Sequence, residues 1–139
     1  MLAVVENLPE WFDDTARTRS VPTDLRNQTG FVAVSDQWVI GFITLYVAEG
    51  RMHIGWLAVD RQMQGHGIGS RLLDAAEAMA RELRIDELAT YTLSESIAYQ
   101  PYELTRRFYW KHGFKVYKRS RTDNPRCPEE IWISKQIKP

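Results

Sequence analysis

The chain has 139 residues and a mass of 16.2 kDa, enough for one folded domain with a substantial core. Its 18 basic residues balance 18 acidic ones, so the formal charge is zero and gives no reason to expect nucleic acid or an anionic membrane as partner. Cys127 is the single cysteine, which excludes an internal disulfide and a thiolate zinc cluster. No apolar run reaches the roughly 18 residues of a membrane span, and the N-terminus lacks a basic–apolar signal pattern. The expected compartment is therefore the cytoplasm. With so little charge to keep copies apart, a homodimer is compatible with the composition.

No repeat, low-complexity segment or linker divides the chain, so residues 1–139 are read as one domain. Met1 to Val5 is expected as a short strand or frayed end. Pro9 to Arg17 suits a helix start, with Trp11 and Phe12 as apolar anchors. Thr18 to Gln28 is weakly patterned and reads as loop plus a short helix around Asp24. Residues 30–35 and 38–47 are rich in β-branched and aromatic residues, and only Asp36 and Gln37 separate them. That pattern predicts a hairpin. Ala48 to Arg51 is the next turn and Met52 to Asp60 the next strand, so the first half is an antiparallel meander.

Ile68 to Leu83 carries the strongest helical pattern, with Ile68, Leu72, Ala75, Ala76, Met79 and Leu83 on one face. Glu87 to Leu93 reads as a strand, reached from the strand at 52–60 across that helix, so the two are expected to be parallel neighbours. After a loop at 94–100, Pro101 suits the first turn of a helix running to His112, with Leu104 and Phe108 as an i,i+4 apolar pair. Gly113 then fits the left-handed position past the helix end, and Phe114 folds back on its last turn. Residues 114–119 and 130–135 are the final strands, expected to be antiparallel, joined by a polar loop with Pro125 and Pro128. The class is α/β (α+β): a mixed, mostly antiparallel sheet with helices on both faces.

The most informative stretch joins the 52–60 strand to the 68–83 helix. It contains Gly65, Gly67 and Gly69, which is more than a tight turn needs. Glycines there free the backbone to turn and leave the first helical N–H groups open. Those groups lack intrahelical partners, and the helix dipole adds about half a positive charge at that end. An anion, most naturally a phosphate, fits such a place.

Gln62-x-x-Gly65-x-Gly67, between a strand and a helix, resembles the first signature of the GCN5-related N-acetyltransferase (GNAT) superfamily. Phe108-Tyr109-x-x-x-Gly113-Phe114 resembles its second signature, here on a helix beginning Pro101-Tyr102-Glu103. The resemblance implies acetyl-CoA as donor, no metal, and a small-molecule or peptide amine as acceptor. It implies that the CoA pyrophosphate rests on the backbone of Gln64, Gly65, His66, Gly67, Ile68, Gly69 and Ser70, with Gln62 bracing the loop. The pantetheine arm would pair like an extra strand along Leu57, Ala58 and Val59, an arrangement that an amide-rich arm and an open strand edge also favour on chemical grounds. Tyr109 holds the position of the general acid. A phenol with a pKa near about 10 stays protonated at neutral pH and can reprotonate a departing thiolate.

The amine poses the larger difficulty. With a lysine-like pKa of about 10.4, only about one molecule in a few thousand is nucleophilic at pH 7, a penalty of roughly 4.6 kcal/mol. His53 matches the position of the glutamate base in the histone-acetylating branch and is the first candidate for a base. Glu49 in the preceding turn is the second. Tyr102 and Thr105 stand where many members of the superfamily have Asn and Ala, which puts one usual CoA contact in doubt. Arg106 and Arg107 are candidates for CoA phosphates or an acidic substrate, against the plainer expectation of solvated arginines. Trp110, next to Tyr109, is a candidate to line the acceptor pocket. The competing reading is a non-catalytic acyl-CoA-binding or sensing module on the same fold. A dinucleotide-binding domain fits worse, because Ser70 stands where the third glycine or alanine is wanted.

Overall fold

The computed structural model describes residues 1–125 and 128–138; Cys127 lies outside the described residues. The elements, in order, are α1 (Leu2–Glu6), a π-helical turn (Ala16–Ser20) running into α2 (Val21–Asn27), β1 (Thr29–Ser35), β2 (Trp38–Ala48) and β3 (Arg51–Val59). After a 3-10 turn at Arg61–Met63 come α3 (Ile68–Glu82), β4 (Glu87–Leu93), α4 (Gln100–Lys111), β5 (Lys115–Arg121) and β6 (Glu129–Gln136). Six strands form one sheet in the order β1-β2-β3-β4-β6-β5, antiparallel except where β3 meets β4. The mixed, mostly antiparallel architecture expected from the sequence is present.

The first half follows local chemistry closely. Asp36 and Gln37 both have positive φ (48° and 70°), as do Glu49 and Gly50 (55° and 76°). Two consecutive left-handed residues give the turn whose twist matches a right-twisted hairpin. The N-terminal segment departs from expectation. Residues 2–6 are helical rather than extended, because Val4 and Val5 (each 1% exposed) plug the apolar cluster formed with Phe12, Val21, Phe42 and Ala58. Residues 9–12 are turns, not helix. The helical run begins after them, where the Asp13 carboxylate accepts the Ala16 amide at 2.8 Å. Its π-helical turn, where the Val21 amide reaches back to the Ala16 carbonyl, has a local cause. Pro22 has no N–H for the Thr18 carbonyl and its ring crowds the preceding turn, so the helix widens ahead of it.

Successive strand residues point to opposite faces, which separates two cores. Ile43, Leu45, Met52, Ile54, Leu88, Ile131 and Ile133 pack under α3, Tyr109 and Phe114, while Phe42 and Ala58 face α1 and α2. On α3 the buried set is Ile68, Leu72, Leu73, Ala76 and Ala80, rotated slightly from the predicted stripe. Leu83 is 52% exposed, because Arg84 (φ 58°) ends the helix there and the chain turns away. At the far end Gly113 (φ 89°) lets the Phe114 amide return to the Tyr109 carbonyl at 3.1 Å, as predicted for that cap.

Two features position the site. β3 and β4 pair in only two rows, Met52 with Leu88 and His53 with Ala89, whereas β4 pairs with β6 along Glu87–Leu93. Beyond His53 the two parallel strands part. Arg106 then fixes the end of β4: it is buried (5% exposed) and its Nη1 donates to the Leu93 and Ser94 carbonyls at 3.0 and 3.3 Å. It is therefore neither solvated nor aimed at a ligand. No helix among the described residues is long and apolar enough to cross a membrane. Replacing Arg106 with Met strands two buried carbonyls and is expected to lower stability by about 3 kcal/mol, read from urea unfolding.

Candidate active site

The loop after β3 builds its own scaffold. Asp60 caps the 3-10 turn by accepting the Gln62 amide at 3.0 Å, and the Gln64 side-chain amide donates to the Val59 carbonyl at 3.1 Å. The His66 ring folds back so that Nδ1 lies 3.2 and 3.1 Å from the Met63 and Gln64 carbonyls. Two carbonyl acceptors require that nitrogen to carry the proton. Gly65 and Gly67 have φ of 80° and 81°, and a Cβ on either would meet nothing within 4 Å. These two glycines serve the left-handed backbone and leave open space above it. Gly67 caps α3, and the first helical bond runs from the Arg71 amide to its carbonyl at 3.1 Å. The amides of Ile68, Gly69 and Ser70 therefore have no intrahelical acceptor.

Those amides open on a cleft of about 1320 Å³. Leu57, Ala58, Val59, Gln64, Gly65, Gly67, Ile68, Gly69 and Ser70 all border it, whereas Gln62 and His66 do not. Gln62 takes part through its amide, and the bracing falls to Asp60, Gln64 and His66. The cleft runs through the gap where β3 and β4 part. Thr90, which faces α4, and Tyr91, which faces the opposite side, both line it.

Tyr109 borders the same cleft, is 6% exposed and packs edge-on against Phe114 with ring centroids 5.0 Å apart. Its hydroxyl hydrogen-bonds the Thr90 side chain, and burial pushes the phenol well above its ordinary pKa. Thr90 in turn donates to the Ile54 carbonyl at 3.2 Å, bridging the strands just where they separate. Tyr109 thus keeps its proton at neutral pH, at the point where the glycine loop's cleft crosses the sheet.

His53 is placed differently. It is 4% exposed and its Nε2 lies 3.1 Å from the Ala48 carbonyl, so that nitrogen donates. Its Nδ1 is buried without a protein partner, and the ring stacks on Tyr46 at 5.0 Å. His53 and Glu49 share a separate cavity of about 120 Å³ with Tyr46, Lys118 and Trp132. The structure brings the two base candidates together, but not with Tyr109. The reason is local: the backbone carbonyl of the β2–β3 turn captures the imidazole. Trp110 is 39% exposed and does not border the cleft, because it lies one residue past Tyr109 and points off the buried face of α4.

Sequence reasoning did not find the strap at residues 8–12. It borders the cleft and is tied to both walls. Glu10 pairs with Arg61 at 2.5 Å, and that guanidinium holds its carboxyl below the usual range. Trp11 Nε1 lies 3.0 Å from the Pro101 carbonyl and 3.1 Å from the Thr105 hydroxyl, and the Tyr99 and Tyr102 hydroxyls donate to the Glu10 and Trp11 carbonyls. Tyr102 and Thr105, read as departures from the family pattern, hold this strap.

Residues 26–116 match the acetyltransferase (GNAT) domain family. The chain belongs to that family. It is 30% identical over 97 residues to an amino-acid acetyltransferase of Mycobacterium tuberculosis, a match covering 62% of this chain. It spans about half the length (49%) of that relative. Its fold is that of a GNAT-family protein from Desulfovibrio desulfuricans (TM-score 0.83, 22% identity, 99% of this chain and 90% of that one). It is also that of a GNAT family acetyltransferase from Elizabethkingia anophelis solved with acetyl-CoA bound (TM-score 0.72, 20% identity, 86% and 83% covered).

Gly67→Val is expected to weaken acetyl-CoA binding at least about tenfold, since it strains a left-handed residue and fills the open space. Gln64→Ala should cost only a few-fold, because it loses one side-chain tie. Titration calorimetry on both variants provides the comparison.

Proposed function

We propose that the protein is an acetyl-CoA-dependent N-acetyltransferase that moves the acetyl group directly to a primary amine while both substrates are bound. The observation that carries this reading is the single cleft that joins the open amides of residues 68–70 to Tyr109 through the gap between β3 and β4. The residues present suit the donor. Its pyrophosphate would rest on the loop amides and the start of α3, and its amide-rich arm would lie along Leu57–Val59, where β3 has lost β4 as partner. The amine nitrogen bonds to the thioester carbonyl carbon, the carbon–sulfur bond breaks, and the sulfur takes the proton of the Tyr109 phenol. The proton that the nitrogen sheds as it becomes an amide passes through water to the phenolate and restores Tyr109. A phenol whose pKa is raised by burial does not lose that proton to solvent beforehand.

Among the described residues no histidine borders the cleft, and the carboxylates that do are Glu10, which is paired with Arg61, and Asp13. An acceptor that needs little help with deprotonation suits this arrangement. An α-amine with a pKa near about 7.7–8.0 is free roughly one time in ten at pH 7, against one in a few thousand for a lysine-like amine. The acceptor class proposed is therefore an α-amine of a peptide or a small molecule.

Thiol release from acetyl-CoA with peptide α-amines and lysine-type amines, beside calorimetry of CoA binding, tests the proposal. Binding without turnover on any amine would leave the acyl-CoA sensor instead. Tyr109→Phe is expected to keep acetyl-CoA affinity and lose about 10²-fold or more in turnover. For His53, sealed behind Tyr46, the expected result of His53→Ala is an unchanged pH–rate profile. Loss of the acidic limb would return the base role to it, through water at the apex of the strand gap.

A further inference from the structure

Ser70, on the wall of the proposed donor half of the cleft, belongs to a side-chain pair that the proposed chemistry does not use. Ser70, in the first turn of α3 and bordering the cleft, has its hydroxyl 3.0 Å from Nε2 of His112, the residue that caps the C-terminus of α4. The contact is built rather than incidental. The Phe108 ring meets His112 edge-on at a centroid distance of 4.7 Å, and its tip lies against Gly69, where a Cβ would come within 3.1 Å of it. Glycine at position 69 is thus what lets α3 and α4 approach closely enough for Ser70 and His112 to meet.

A hydroxyl has one proton to give. If His112 presents a bare Nε2, Ser70 must donate to it and shows the cleft only lone pairs, the wrong polarity for a phosphate. If His112 is protonated, Nε2–H donates to Ser70 Oγ and the Ser70 proton is free to point into the cleft. A hydrogen bond from that hydroxyl to an anionic phosphate oxygen is of the strong, charge-assisted kind.

The groups around His112 set which form prevails. Burial, Lys135 of β6 and Lys111 of α4 hold its pKa below the ordinary value, while Asp74 and Glu77 of α3 act in the opposite sense. Glu77 is itself shared with Lys135 at 2.5 Å, which blunts both. A pyrophosphate on the loop would add two negative charges next to Ser70 and tip the balance towards the imidazolium.

We propose that His112 is a positioning residue of the donor site, which takes up a proton as the CoA pyrophosphate binds and thereby turns the Ser70 hydroxyl towards it. This rests on the acetyl-CoA reading above. Because the protonated form is favoured in the complex, affinity is highest at acid pH and falls as pH rises through the complex's His112 pKa.

The test is titration calorimetry with dephospho-CoA, which lacks the terminal phosphate monoester that itself titrates near pH ~6. Measured between about pH 5.5 and 7.5 in two buffers of different protonation enthalpy, wild type should take up a fraction of a proton and weaken about tenfold towards the alkaline end. His112→Gln, whose amide neither gains nor loses a proton, should bind with an affinity that stays constant across the range, with no uptake. In the wild-type protein, the His112 ring proton signals in NMR should move to the imidazolium position on adding dephospho-CoA, a readout that needs no variant. Tight binding without uptake would mean that a neutral ring already protonated on Nε2 serves, and overturns the proposal. So does uptake that persists in His112→Gln. If neither CoA nor dephospho-CoA binds, the donor reading falls and takes the proposal with it.

Discussion

The structure turns on the parting of two parallel strands. β3 and β4 share only two rows before they diverge, although each keeps its outer neighbour along most of its length. In a closed sheet, unpaired backbone groups at that depth would be costly. Here the cost is met piecemeal. The Thr90 hydroxyl serves the Ile54 carbonyl, the Thr44 hydroxyl serves the Trp56 amide at a bulge in β3, and Arg106 takes the carbonyls where β4 ends. What remains open is the edge of β3 beyond His53, which runs directly into the glycine loop. The fold thus leaves an extended edge and a helix N-terminus in line, the two features a long donor with an amide-rich arm and a diphosphate requires.

Tyr109 sits at the same place for the same reason. Tyr109 lies one turn beyond Arg106 on α4, so the bond that ties α4 to the end of β4 also aims the phenol at Thr90 and the gap. Packing against Phe114, which Gly113 returns to the helix, keeps the ring from swinging away. The strap at residues 8–12 closes the rim from the other side, held by Arg61 and by the start of α4. Loop, gap, Tyr109 and strap are therefore tied to one another by side-chain contacts that cross between elements.

Legibility varied with the range of the interaction. The hairpin turns, the glycine loop, the cap at Gly113 and the helix starts at Ile68 and Pro101 depend on neighbours a few residues away, and they stand where the sequence puts them. The N-terminal helix was not legible, because five residues of mixed propensity take their conformation from a cluster assembled across the sheet. Arg106 was misread for a related reason. An arginine on a helix is ordinarily solvated, and only the end of β4, brought over by the fold, gives it buried partners. Nothing in the sequence links Trp11 to Pro101 and Thr105, about ninety positions away.

By itself the sequence determined the stretch proposed to hold the donor: a strand, a glycine-rich turn and a helix start in immediate succession, with a tyrosine ahead of a left-handed glycine further on. Backbone conformation and helix-end electrostatics are local, so a short motif is enough to specify them. The tertiary structure decided which side chains share a space with that motif. It set His53 and Glu49 in a pocket of their own, brought Tyr109 to the point where the strands part, and joined Ser70 to His112 across two helices. Side-chain neighbourhood depends on how helices and strands pack at long range, and no spacing in the sequence encodes that distance.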